Sequence, residues 1–141
     1  MMTLFYIAVY HNNDSRFFPY EPGHTLTKVI SHWRHFPTET SPEEVADWAY
    51  RVFNDDLDNL QGRRGYPDGG ELDFLLVCTY RLMKLRSLSA GDVLGITSEE
   101  TTVFLACEFN GWRAIPSPQN RTGKGLTTEV IYQHLRGSGR A

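Results

Sequence analysis

The segment Ser41-Pro42-Glu43-Glu44 fixes where one helix of this chain begins, and with it which residues must seek a core. The Ser41 side chain can accept a hydrogen bond from a first-turn amide, and Glu44, three residues on, can reach back to the amide of Ser41. Pro42 suits the first helical position, where its missing amide is not needed. Glu43 and Glu44 oppose the positive end of the helix dipole. Beyond them, Val45, Trp48, Ala49, Val52 and Phe53 recur at helical spacing and form one apolar stripe. The pattern predicts an amphipathic helix that starts at Pro42 and ends near residues 54–58, with Trp48, Val52 and Phe53 turned toward a sheet.

The strands for that sheet are legible on both sides of the helix. Residues 4–10 are a continuous apolar run rich in aromatic and β-branched side chains, closed by Asn12-Asn13-Asp14-Ser15, and read as a buried strand. Residues 16–24 hold Pro19, Pro22 and Gly23 and read as a loop. Residues 25–33 predict a second strand that can pair with the first. Residues 61–70, with four glycines and a proline, read as a flexible connector. Residues 72–85 fit helical spacing through Leu72, Leu75, Leu76, Thr79, Tyr80 and Met83; residues 74–80 alone also fit a buried strand, and length favours the helix. Residues 92–115 read as a three-stranded meander, with Gly91-Asp92 at its first turn and Asn110-Gly111 as a two-residue hairpin signal. Residues 126–136 predict a short helix carrying Val130, Ile131, His134 and Leu135 on one side, and residues 137–141 a frayed tail. The expected fold is a single α+β domain over residues 1–136, a small mostly antiparallel sheet packed against two or three helices.

At 141 residues one hydrophobic core can hold such a domain without metal or disulfides. The net charge of −3 argues against a generic nucleic-acid binder, which usually carries a strong basic excess. Cys78 and Cys107 both sit in apolar runs and read as reduced, buried thiols. The N-terminus has no basic stretch followed by a small-residue cleavage site, and its apolar run is too short to span a bilayer. The expected location is the cytoplasm, with no membrane partner.

Catalytic motifs are scarce. Neither a phosphate-binding glycine loop nor a GxSxG elbow occurs, and the two cysteines lie far apart with no CxxC. No catalytic residue, metal site or cofactor is therefore assigned. His32 and His35 flank Trp33 and Arg34; on an expected strand or loop they read as surface histidines with Trp33 packed inward. An enzyme would need a pocket that joins His24, His32 or His35 to an acid such as Asp92 or Glu108. Asn54, Asp55, Asp56 and Asp58 place acids at a helix end, where the dipole disfavours them, and make one candidate partner-contact surface. Arg63, Arg64 and Tyr66 in the connector make another. Arg63, Arg64, Arg81, Lys84 and Arg86 are the basic concentrations, and an arginine beside an aromatic can grip phosphate and stack on a base.

The segment Arg86-Ser87-Leu88-Ser89-Ala90-Gly91-Asp92-Val93, followed by Phe109-Asn110-Gly111-Trp112, resembles the YodL-like family. There an RSLSVGDVV-type segment precedes a strand and ends in an aromatic-glycine-aromatic stretch. Val52-Phe53-Asn54 is similar to the helix end of such proteins, so the likeness spans residues 43–115, about half of the chain. Residues 3–10 also look like the opening strand of small actinobacterial plasmid and phage proteins with this ending. The chain departs from the pattern in a longer apolar run before the motif and in the tail after Ile115. The resemblance implies an accessory protein of a mobile genetic element and implies no shared catalytic residues. The leading expectation is a non-enzymatic module that binds a host protein and modulates a cellular or defence process; the alternative is a nucleic-acid-binding accessory protein. Within the motif, Leu88, Val93 and Ile96 are expected to seat the meander on the core, Gly91 to permit the turn, and Ser89 or Asp92 to bond nearby amides.

Overall fold

The computed structural model describes residues 1–15, 17–55, 57–62, 64–65 and 70–127. The N-terminal apolar run becomes the strand β1 (Met2–Asn12), which lies between β2 (Leu26–Pro37) and β3 (Val93–Ser98) and is antiparallel to both. A strand paired on both edges, with helices over one face and Tyr20 and neighbouring rings over part of the other, buries most of both sets of its side chains, hence the unbroken hydrophobicity of residues 4–10. β4 (Thr101–Cys107) and β5 (Trp112–Ile115) continue the sheet beyond β3 as an antiparallel meander. At the other edge the short strands β6 (Arg121–Thr122) and β7 (Leu126–Thr127) run parallel to β2. The order is β5-β4-β3-β1-β2-β6, with β7 also on β2. Three helices, α1 (Pro42–Asn54), α2 (Leu57–Gly62) and α3 (Gly70–Leu82), intervene between β2 and β3. The fold is the expected α+β arrangement, with a mostly antiparallel sheet and three helices among the described residues. Among the described residues no helix is long and apolar enough to cross a membrane.

The helix start is built as its sequence requires. The Glu44 amide donates to Ser41 Oγ at 3.2 Å, and the Ser41 amide donates to Glu44 Oε1 at 3.0 Å. Those bonds, the backbone one first, draw the Glu44 carboxyl below its ordinary range. Trp48 stands edge-on to Phe36 of β2, and Phe53 packs on Tyr80 of α3 with ring centres 4.6 Å apart. The helices cover one face of the sheet, where Ile7, Val9, Leu94, Ile96 and Leu105 form the main core. An ion pair is set into this layer: Arg34 of β2 donates from Nε and Nη2 to Asp73 of α3 at 3.0 and 3.1 Å, and Trp48 Nε1 donates to the same carboxylate at 3.3 Å.

α3 ends in a left-handed cap. The Lys84 amide donates to the Arg81 carbonyl at 2.9 Å and the Leu85 amide to the Tyr80 carbonyl at 3.3 Å, which turns Lys84 to a φ of 58°. The chain then reverses into residues 86–92.

Several expectations are corrected. β2 runs on to Pro37, beyond the expected end at residue 33. Trp33 is 45% exposed and His32 is buried, the reverse of the reading that packed Trp33 inward. The cause is a bulge: Val9 pairs with Ile30 while Tyr10 pairs with Lys28, so Val29 is extra and resets the alternation of β2. The connector is shorter than expected, because Gln61 and Gly62 close α2. Leu126 and Thr127 lie in β7 and not at the start of a helix; the rest of that expected helix, with Val130, Ile131, His134 and Leu135, and the tail fall outside the described residues. Cys107 is buried but Cys78 only half-buried, and neither is in a disulfide. In the β4–β5 turn only Gly111 takes a positive φ, 89°, so Phe109 and Asn110 form the tip and Asn110-Gly111 is not the two-residue turn.

Candidate functional site

The residues after α3 return to the sheet through a network centred on Asp92, whose side chain is 1% exposed. Arg86 Nη1 and Nη2 each donate to it at 2.6 Å, a bidentate pair. The amides of Asn12 and Ser89 supply two more bonds at 2.9 and 3.0 Å. Asn54, the last residue of α1, clips the same segment from the other side. Its Oδ1 accepts from the Leu88 amide at 2.8 Å, and its Nδ2 donates to the Leu88 carbonyl at 3.1 Å, as a neighbouring strand would. The Gly91 amide donates to the Cys107 carbonyl, and the Cys107 amide to the Asp92 carbonyl. Asn12 completes the frame by donating from Nδ2 to the Gly91 carbonyl at 3.0 Å and accepting at Oδ1 from the amides of Asp14 and Ser15. The expectation that Asp92 bonds nearby amides, and that Leu88 and Ile96 enter the core, matches this geometry. Val93 is buried on the opposite face of the sheet.

Over this framework opens a cleft of about 650 Å³. Its floor comes from residues 86–90 and Asn54; Phe17, Tyr50, Glu108 and Phe109 stand around it. Phe17, Tyr50 and Phe109 are 61%, 43% and 68% exposed. The polar floor is committed: Arg86 also donates to the Ser87 carbonyl and Ser89 Oγ. What the cleft offers a ligand is ring surface with a polar margin.

Behind the floor lies a buried chain of three groups. Tyr80 donates its one hydroxyl proton to the Arg86 carbonyl. The 2.7 Å contact between His11 Nε2 and the Tyr80 oxygen therefore needs its proton from His11, which sets that imidazole as the Nε2–H tautomer. Burial, opposed by the Asp92 carboxylate and aided by the Arg86 guanidinium, lowers the His11 pKa to about 4. Above pH 6.5 the ring is neutral whether the chain is folded or not, and the full stability is present. As pH falls below 6.5 the unfolded chain binds a proton that the folded chain refuses until about pH 4, so stability drains across that window. The loss amounts to about 3 kcal/mol at most. Urea unfolding at a series of pH values should record it, and His11→Gln should flatten that part of the curve; an unchanged slope in the variant would assign the acid sensitivity elsewhere. Burial also raises the Tyr80 phenol, and it pushes the Cys107 thiol up to about 11, with the Asp92 and Glu108 carboxylates adding to the effect. A thiol so placed stays protonated and unreactive at neutral pH.

The candidate residues read from sequence are scattered. Asn54 and Arg86, from two different candidate sets, meet in the cleft floor. Arg64 is held by Glu71 at 2.8 and 2.9 Å and lies over the Phe74 ring. Arg81 donates to the Asp55 carbonyl, and Asp55 also accepts from Asn59. Lys84 is exposed at the end of α3, and Asp58 is exposed on α2. Arg63, Tyr66 and Asp56 lie outside the described residues. Three of the five basic residues proposed for nucleic acid are thus engaged within the chain. His32 and His35 point to opposite faces of β2, as residues three apart on a strand must, so they do not converge on one ligand. His24 accepts at Nδ1 from the Glu21 amide. His35 shares a second cleft with Glu44 and Asp47, whereas Glu108 lines the first. Sequence reasoning missed Asn12, Phe17, Tyr50 and the His11–Tyr80 pair. An exposed ring is an apolar letter like any other, and Asn12 had read only as a strand terminator.

Comparison with protein families, with characterised proteins and with solved structures finds no match to this chain.

Proposed function

We propose that the protein is a non-enzymatic accessory module of a mobile genetic element, working in the cytoplasm, that binds a host protein through the cleft between Tyr50 and Phe109 and so modulates a cellular or defence process. The observation that carries this reading is a convergence. The stretches 86–93, 109–112 and 52–54, on which the YodL-like resemblance rests, all contribute to this one cleft, through residues 86–90, Phe109 and Asn54. Large rings kept in water around a depression are what a protein interface uses as anchors. The polar residues below them are spent on holding the segment in place, which suits recognition better than turnover.

The reading is tested by capture from host lysate with purified protein carrying Tyr50→Ala, Phe109→Ala or, as a control, Leu82→Ala on an exposed part of α3. The first two should lose a protein that wild type and the control retain, with binding weakened about tenfold or more per ring. Phe109 sits at a turn tip, so its loss should leave the melting temperature unchanged. Equal capture by all four proteins, or capture of nothing, overturns the reading.

A further inference from the structure

The sheet has a second face, and its chemistry differs from the first. Alternation along β1 sends Ile7 and Val9 to the helices and Tyr6, Ala8 and Tyr10 to the other side. Among the described residues no helix covers that side. Tyr20 from the 13–25 loop packs over part of it with Leu26, Val93 and Ala106. The remainder is a hollow of about 470 Å³. Ala8 and Gly95 make its floor, and Tyr6, Tyr10, Phe104 and Arg121 stand around it. Gly95 keeps the floor low, since a Cβ there would come within 3.1 Å of the Phe104 ring.

Two cations lie on these rings. The Lys28 ammonium is 5.2 Å from the centre of Tyr6 and donates to its hydroxyl at 2.8 Å; the Arg121 guanidinium is 5.0 Å from the centre of Phe104. Trp33 extends the row, with its ring 4.9 Å from Tyr6. Among the described residues no aspartate or glutamate lines the hollow. In a chain of net charge −3, this combination of flat rings, small floor residues and unopposed cations is local and specific. Its complement is a polyanion with exposed planar groups. A duplex hides the faces of its bases; a single strand presents them.

We propose that the open face of the sheet is a platform for single-stranded nucleic acid. Bases stack on Trp33 and enter the hollow between Tyr6 and Phe104, and Lys28 and Arg121 take the phosphates. This inference does not depend on the cleft on the helical side, and the two can fail separately.

The probe is fluorescence anisotropy of the full chain with labelled oligothymidylate and oligouridylate of about a dozen nucleotides, set beside a blunt duplex and thymidine monophosphate. Both single strands should bind, the duplex at least about tenfold more weakly, and the mononucleotide not measurably. Trp33→Ala should weaken single-strand binding by about tenfold, whereas Tyr6→Phe, which keeps the ring, should hold it. Arg121→Gln and Lys28→Gln should each lower the slope of log affinity against log salt by about 0.7. Leu82→Ala should change nothing. Because Trp33 and Arg121 are exposed, their variants should fold even if a Tyr6→Ala chain did not. Absence of binding at low salt, equal affinity for duplex and single strand, saturation by the mononucleotide alone, or indifference to Trp33→Ala with Arg121→Gln would overturn the proposal.

Discussion

Asp92→Ala is expected to lower the free energy of unfolding by about 3–5 kcal/mol, as much as truncating a large core side chain. The carboxylate is the acceptor for four donors, two from Arg86 and one each from the amides of Asn12 and Ser89. Removing it leaves two amides without their acceptor in a place water reaches poorly, each costing about 1–3 kcal/mol. It also leaves the Arg86 guanidinium, only 22% exposed, without its counter-charge. Arg86→Ala should cost less, because Asp92 keeps both amides and the arginine side chain is the more solvated partner. Urea denaturation of both variants decides the order. A loss below about 1 kcal/mol for Asp92→Ala would mean that the network is incidental to stability. Limited proteolysis should place the first cuts of the Asp92→Ala chain in residues 86–91, because the ties left there, Tyr80 to Arg86, Asn54 to Leu88, and Asn12 and Cys107 to Gly91, do not replace the hold of Asp92 on the Arg86 side chain and the Ser89 amide.

That network also marks the limit of what was legible in the sequence. Interactions written within a few residues were readable: Ser41 with Glu44, the helical stripe from Val45 to Phe53, and the turn glycine at 91. Each is a statement about neighbours, and local geometry alone decides it. Asp92 finds Asn12 eighty positions away, and Arg34 finds Asp73 thirty-nine away. Nothing in the spacing of those letters announces the pairing, which follows from strand order. The reading of Trp33 failed for a subtler reason. Alternation along β2 is sound on each side of Val29, but the bulge there shifts its phase. His32 consequently stacks on Trp48 inside, and Trp33 meets water. One extra residue thereby moved an indole from the expected core to the open face, where it belongs to the row of rings with Tyr6. The basic residues misled in the opposite direction. Arg64, Arg81 and Arg86 look like a cationic patch in sequence, yet each closes a contact inside the chain. Lys28 and Arg121, which lie against aromatic rings with no carboxylate partner among the described residues, are isolated letters with no cluster to draw the eye.

Gly91→Ala is expected to be nearly as damaging, on the order of 4 kcal/mol, through backbone and not through lost charge. Gly91 holds a φ of 98°, a region that a side chain disfavours strongly. Its surroundings aggravate the strain: a Cβ would lie 2.5 Å from the Phe18 carbonyl oxygen. That oxygen is backbone and not the far end of a flexible side chain, so it cannot swing aside. The turn cannot relax alone, because the Gly91 amide is bonded to Cys107 on β4 and the Asp92 carbonyl is bonded back by the Cys107 amide. Relief must therefore come from moving Phe18 away from the turn, which would carry its neighbour Phe17 off the rim of the cleft. Two readouts separate these effects. Urea unfolding reports the strain, and the intensity of a fluorophore placed at Phe17 reports the displacement. Gly111→Ala, with a similar φ of 89° but nothing within 4 Å of the added carbon, isolates the backbone part and should cost only about 1–2 kcal/mol. If the two alanine variants were equally stable, the close approach of the Phe18 carbonyl would have no energetic weight, and the glycine of the RSLSAGDV segment would be there for its turn alone.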